Sequence, residues 1–407
     1  MKSLPLFILV STTLFGNIEF SSNEIKAHDN EILLKGDVLI KHPLGILTAN
    51  EATLVQGGSH HQTPSFLSAC LKSCVELQFG SEQTLLCEAA TIDFVHNTAS
   101  LTSPEKLISF FDPKRHTTIQ SQNVDCEWND GHLKLNTHST DHPCTILIGQ
   151  DEVKADSATV EVENETLILY KPIGKIAANL ISLTHPEEIS FSSNILNWDR
   201  KSGEISLKEN ILVDGNSFGS MRSTDKISFA TEKVDEKLLF KGFKATGKSH
   251  LITPGGMKII CDGDIEFDHD KRHLSAMSIV EPIVYENGDL RIEAHQLTFD
   301  QLEGNPKIIS FYDHVTFSSG AMHGTAGGLT YRPEEHTLEF FSLDQENVVF
   351  HNRETDIKMS ADSLSISRDP ETKENIIQGH GIVKLTFDHK QRDELIEVIS
   401  SCMKNSF

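Results

Sequence analysis

The chain has 407 residues, of which 38% are hydrophobic and 23% charged, and its formal net charge is −23. That balance describes a folded chain with ample core and excludes a disordered one or a bundle of membrane spans. The carboxylate surplus excludes a nucleic-acid binder, which needs a basic footprint for phosphates, and it opposes electrostatic docking on an anionic bilayer.

Residues 1–22 come first. Lys2, the apolar stretch Leu4 to Phe15 and the polar Asn17, Ser21 and Ser22 read as a secretory signal peptide. The small residues are poorly placed for cleavage, so an uncleaved N-terminal anchor is the alternative.

From residue 23 a short pattern recurs: small, polar, any, apolar, any, apolar. It appears as Ala89-Ala90-Thr91-Ile92-Asp93-Phe94, Ala294-His295-Gln296-Leu297-Thr298-Phe299, Ala326-Gly327-Gly328-Leu329-Thr330-Tyr331 and Ala361-Asp362-Ser363-Leu364-Ser365-Ile366. Further copies begin at Ala49, Ala155, Ser193 and Thr224. Self-similarity at a period of some tens of residues means stacked supersecondary units. The copies divide the body into an N-terminal set over 23–150 and a C-terminal set over 151–390.

A second element precedes many copies, seen in Gly36 to Ile40, Glu209 to Val213, Glu281 to Tyr285, Asp313 to Phe317 and Glu346 to Phe350. Each runs from turn formers into β-branched or aromatic residues, as a strand start does. Its first apolar residue lies 11 positions before the next small residue (Val38 to Ala49, Ile283 to Ala294, Val315 to Ala326) or 13 (Ile211 to Thr224, Val348 to Ala361). A difference of two preserves the buried face of a strand, so the longer spacing reads as a longer hairpin. The small residue sits an odd number of positions from the two apolar ones. A bulge or corner is therefore expected beside it, where a small side chain admits a close backbone.

Two segments depart from the β pattern. Phe66, Leu67, Cys70, Leu71 and Cys74 suggest one face of a short helical insert near 65–77, and Leu395, Ile396, Val398, Ile399 and Met403 suggest an amphipathic C-terminal helix within 391–407. The tail would cover the last strands, leaving an open edge near Ile32 to Ile40 for strand addition by a partner. Seven cysteines are an odd number for an exported chain, and Cys70 with Cys74 reads equally as two thiols or one staple.

Catalytic signatures are missing from the sequence: no phosphate loop, no nucleophile elbow and no paired-histidine zinc motif. His60-His61, Asp268-His269-Asp270, Glu187-Glu188 and Glu334-Glu335 read as solvated loops and turns, so neither an enzyme nor a metal or cofactor site is expected.

With these residues in hand, the chain resembles the OstA-like family of lipopolysaccharide-transport proteins. The resemblance rests on Gly36 to Leu54, Glu281 to Phe299 and Glu346 to Ile366, and it covers most of residues 25–387 outside 56–84. It implies an all-β, elongated, twisted β-jellyroll built from stacked antiparallel repeats, with an apolar cleft for the acyl chains of lipid A. It further implies a periplasmic location, inner-membrane anchoring if residues 1–22 are retained, and head-to-tail strand addition to other jellyrolls of a bridge between the membranes. Carried onto this chain, the cleft would be lined by Ile292, Leu297, Phe299, Val315, Phe317, Leu329, Tyr331, Val348, Phe350, Leu364 and Ile366. The rival reading of the same repeats is a secreted β-solenoid, structural or adhesive, with no lipid cargo.

Overall fold

The computed structural model describes residues 8–10, 18–43, 45–57, 66–79, 82–129, 132–139, 141–149, 151–178, 187–216, 219–234, 237–300, 307–343, 347–368 and 375–386. Every helix or strand element among them is a β-strand, from Ile8–Val10 to Lys384–Thr386. The chain divides into two compact units, Met1–Asn179 with Thr184–Lys208, and Leu180–Leu183 with Glu209–Phe407.

In the first unit the chain builds two antiparallel ladders by turns. One runs through Ile108–Asp112, Thr117–Ser121, Cys144–Ile148, Asp151–Ala155 and Ile173–Ala178. The other runs through Thr98–Thr102, Asn123–Asn129, His132–His138, Ser157–Glu161, Thr166–Tyr170 and Ile195–Asp199. A hairpin is laid on one ladder, the chain turns a corner, and the next hairpin is laid on the other. Apolar residues at alternate positions of both ladders point into one interior, where Phe79, at the end of the strand Phe66–Phe79, meets Trp128 of the second ladder with ring centroids 5.2 Å apart.

The second unit repeats the scheme. Its first ladder holds Gly219–Ser223, Ser249–Ile252, Lys258–Cys261, Ile283–Asn287 and Leu290–Ala294. The second holds Lys226–Val234, Lys237–Thr246, Asp264–Asp268, His273–Met277 and Gln296–Asp300. Longer strands such as Ile308–Ser319 and Met322–Arg332 take part in both ladders.

The corners form where the repeat places its small residue. Backbone hydrogen bonds join successive corners, from Asp156 N to Tyr170 O (3.0 Å) and Lys171 N to Asn194 O (2.7 Å) in the first unit. The second unit has Ser278 N to His295 O (3.0 Å) and His295 N to Asp313 O (3.2 Å). The corner re-aims the chain between the odd-spaced positions, so Ala294 and Leu297 are both buried, as are Ala361 and Leu364. Where a long strand turns, two successive residues take positive φ: Gly36 and Asp37, Ser73 and Cys74, Asp313 and His314. After Ala326 the corner requires glycine, since a Cβ on Gly327 would lie 2.3 Å from Leu343 N.

Hairpin register follows the expected pairs at four of five places. Val38 faces Ala49, Ile283 faces Ala294, Val315 faces Ala326 and Val348 faces Ala361. Ile211 faces Ser223 instead of Thr224, because the ladder ends on Gly215 paired with Gly219, an odd offset from the expected register. The 13-residue spacing does not lengthen its ladder at Val348–Ala361. Asn352 pairs with Ile357, so the additional residues lie in a four-residue turn.

The helical insert near 65–77 is corrected: Phe66–Phe79 is a strand paired on both sides. Its register shifts once between Val55 and Gln56 and again beside Ser73 and Cys74, where φ is 61° and 57°. The buried residues therefore fall at Phe66, Ala69, Leu71, Val75, Leu77 and Phe79. Spacings of three and four created by two bulges imitate a helical face. The strand Glu31–His42 is not an edge either, because Glu24–His28 pairs with its first half and Ile18–Ser21 with its second. The amphipathic tail 391–407 lies outside the described residues, as does His60-His61.

Candidate apolar interior and its rim

The second unit brings the expected lining residues to inward faces of its two ladders. Ile292, Val315, Phe317, Val348 and Phe350 come from the first ladder. Leu297, Phe299, Leu329, Tyr331, Leu364 and Ile366 come from the second. Their neighbours Gln296, exposed, and Thr298, half-buried, face outward, as strand alternation requires.

Most of this set is packed out of water. Phe317 lies 4.4 Å from Phe340 across the two ladders and stacks on Phe350 at 6.3 Å, and Tyr285 meets Phe311 edge to face at 5.3 Å. Such contacts add about 0.5–1.5 kcal/mol each beyond area burial. Burial drives the Tyr285 hydroxyl pKa far above its ordinary value, with Asn287 Nδ2 donating to it at 3.4 Å. Tyr285, Phe311 and Phe340 belong to the interior as fully as the expected residues do. The sequence signal for Phe340 is ambiguous, because Phe340-Phe341 puts one ring on each face, whereas Phe311 is marked by alternation from Ile309.

Phe299 and Tyr331 differ from the others in being half-buried. They belong to a cross-strand row near the hairpin tips of the second ladder. Phe229 pairs with Phe243, Phe243 with Phe267, Phe267 with Leu274, and Leu274 with Phe299. Phe299 pairs in turn with Ile309, and Ile309 with Tyr331. Phe229, Phe267, Phe299 and Tyr331 are each half-buried, so the interior of the second unit has a partly wetted aromatic margin. Burial raises the Tyr331 hydroxyl pKa, so it is a neutral polar handle at this margin.

The corresponding margin of the first unit is covered. Trp128, Leu133, Leu167, Trp198 and Ile205 are all buried, and hairpin tips of the two ladders are tied together above them. Arg200 Nη1 donates to Thr117 Oγ1 at 3.1 Å, and Nη2 to the Arg115 carbonyl at 3.4 Å. Arg115 pairs with Asp112 at 2.7 Å and lies 3.5 Å from Glu165. Burial lowers the Arg200 pKa. For Arg115 burial acts in the same direction, but the hydrogen bond and charge of Asp112 prevail and raise it. The indole Nε1 atoms of Trp128 and Trp198 are buried without partners among the described residues.

The titratable candidates have structural surroundings. Asp268 closes the turn before Lys271 by accepting its backbone N–H at 3.0 Å, and it pairs with its ammonium at 2.8 Å. Glu334-Glu335 also occupy a turn, whereas Glu187-Glu188 lie in the strand Glu187–Ser192. Cys70 and Cys74 are free thiols, with Cys74 exposed. Burial pushes the Cys87 thiol up to about 12 and the Cys144 thiol up to about 11, which keeps both protonated and inert. Among the described residues no three metal-ligating side chains converge. No protein-family profile matches the chain, and no curated protein matches it.

Proposed function

We propose that the chain is a carrier for the acyl chains of an amphiphile, of the lipopolysaccharide-transport kind, working in the periplasm as part of a bridge between membranes. The observation that carries this reading is the half-buried aromatic margin Phe229, Phe267, Phe299 and Tyr331 along an otherwise dry apolar interior. An acyl chain needs no directional contact. At about 0.8 kcal/mol per buried methylene, about twelve methylenes supply on the order of 10 kcal/mol before ordering costs. A carbohydrate head carrying phosphates would stay in water, which reconciles an anionic cargo with a chain of net charge −23. The finer architecture of this reading is an OstA-like jellyroll that loads through the margin of the second unit and adds strands of partner jellyrolls at its ends.

A photocrosslinking residue at Phe299 should capture lipid in cells, and one at the outward Thr298 should not. Equal capture at both positions, or none at either, removes the support for a lipid-lined interior. The packed state of Ile292, Leu297, Phe317 and Phe350 favours a second reading, a secreted structural β-protein whose interior is filled by its own side chains. On that reading both crosslinkers stay free of lipid.

A further inference from the structure

The outward face of the second unit carries a cavity of ≈ 430 Å³. Its walls come from four neighbouring strand segments of the first ladder, with Arg291 and Glu293 on one, Thr316 and Ser318 on the next, His323 and Thr325 on the third, and Val349 and His351 on the fourth. Arg291 pairs with Ser318, Ser318 with His323, and His323 with His351 in direct cross-strand register. The polar row is thus set by backbone pairing, and its side chains lie about 5 Å apart at Cβ.

Half of this row is already held in place. Arg291 donates to Glu286 at 2.5 Å and to Glu293 at 2.7 Å, and His351 Nε2 meets Asp356 Oδ1 at 3.0 Å. The remaining polar groups of the lining make no side-chain hydrogen bond among the described residues: Thr316, Ser318, His323 and Thr325 present three hydroxyls and an imidazole to the cavity. Partial desolvation and the charges of Arg353 and His351 lower the His323 pKa, so its ring is neutral near neutral pH and donates from one nitrogen. Each of these four groups can donate. Among the charged groups tied to these residues, Arg291 and Arg353 stand against Glu286, Glu293 and Asp356. Four neutral donors converging on one cavity suit an oxyanion, and the guanidinium of Arg353, whose charge reaches His323, adds attraction.

We propose that this cavity binds a phosphoryl group, with Ser318 and His323 as the principal donors and Thr316 and Thr325 completing the cradle. The site is on the face opposite the apolar interior, so it stands independently of the acyl-chain reading. The phosphoryl group can come from a soluble phosphate ester or from a lipid headgroup.

The test is isothermal titration of the full chain with inorganic phosphate, beside a Ser318→Ala/His323→Ala variant and a His250→Ala control of equal circular dichroism. A second arm floats the protein on phosphatidylcholine vesicles with and without phosphatidic acid. The wild type and the control should bind phosphate saturably, and the double variant at least tenfold more weakly. Flotation dependent on phosphatidic acid and lost in the double variant identifies a headgroup as the source, and phosphate binding without flotation identifies a soluble ester. No saturable binding, or equal affinity in the double variant, overturns the site.

Discussion

Replacing Phe340 by Ala tests whether the two ladders of the second unit share one packed interior. Phe340 is 1% exposed and its ring centroid lies 4.4 Å from that of Phe317 on the other ladder. Removing a buried phenyl ring costs about 3–5 kcal/mol through lost transfer energy and the cavity left behind. With a urea slope of about 1–3 kcal/mol per molar, the midpoint of unfolding should fall by about 1–5 M. Circular dichroism is the probe. Tryptophan fluorescence follows only the first unit, because Trp128 and Trp198, the chain's two tryptophans, both lie there. A Phe317→Ala partner completes a double-mutant cycle, and rings in contact across the interior should couple by about 0.5–1.5 kcal/mol. An unchanged dichroism midpoint, or a coupling energy below about 0.3 kcal/mol, would refute the shared interior.

Asp262 accepts the backbone N–H groups of Ile279, Val280 and Glu281 at 2.8–2.9 Å, and these bonds hold its carboxyl below the usual range. A depressed folded pKa means stability that is present above the unfolded value of about 4 and lost as pH falls through the folded one. Asp262→Asn should therefore lose less of its urea midpoint than the wild type between pH 6 and strongly acidic solution, and identical acid sensitivity would show that these bonds do not contribute. Thiol labelling with peptide mapping should modify exposed Cys74 quickly and leave buried Cys87, Cys126 and Cys144 unmodified until urea unfolds the chain; rapid labelling of Cys126 would contradict the packing described. Deleting residues 391–407 should produce concentration-dependent chains in light scattering if the tail covers an edge, and an unchanged size at high concentration would show that it does not.

Most of the fold was legible because β pairing writes itself at a period of two. Val315 and Ala326, or Val348 and Ala361, identify a hairpin by their spacing alone, and the small residue marks the corner beside it. Serine corners were only partly legible, since the repeat marks Ser193 but not Ser121. Ser121 and Ser193 are buried at equivalent places, each hydroxyl donating to the carbonyl two residues on, at Asn123 (3.1 Å) and Ile195 (2.9 Å). A residue counted as polar by composition there does an alanine's packing. The bulges at Leu67 and Ser73-Cys74 were illegible for the opposite reason: each shifts the alternation, and the sum looks helical.

The interior was legible as a set of apolar positions but not as a state. Leu297 and Phe299 have the same sequence logic, yet one is fully buried and the other half-buried. The difference arises from height on the ladder, since Phe299 sits beside the hairpin tip whereas Leu297 sits beside the corner. The outward cavity was invisible in sequence, because Arg291, Ser318, His323 and His351 come together only through cross-strand register.

The most direct measurement is mass spectrometry of the organic extract of the full chain purified from cells that make lipopolysaccharide, beside a Phe267→Glu/Phe299→Glu variant that places two carboxylates at the aromatic margin. An acyl-chain carrier should yield bound amphiphile from the wild type, reduced at least severalfold in the variant. An extract free of lipid from the folded wild type, or equal lipid from both proteins, would contradict the carrier function.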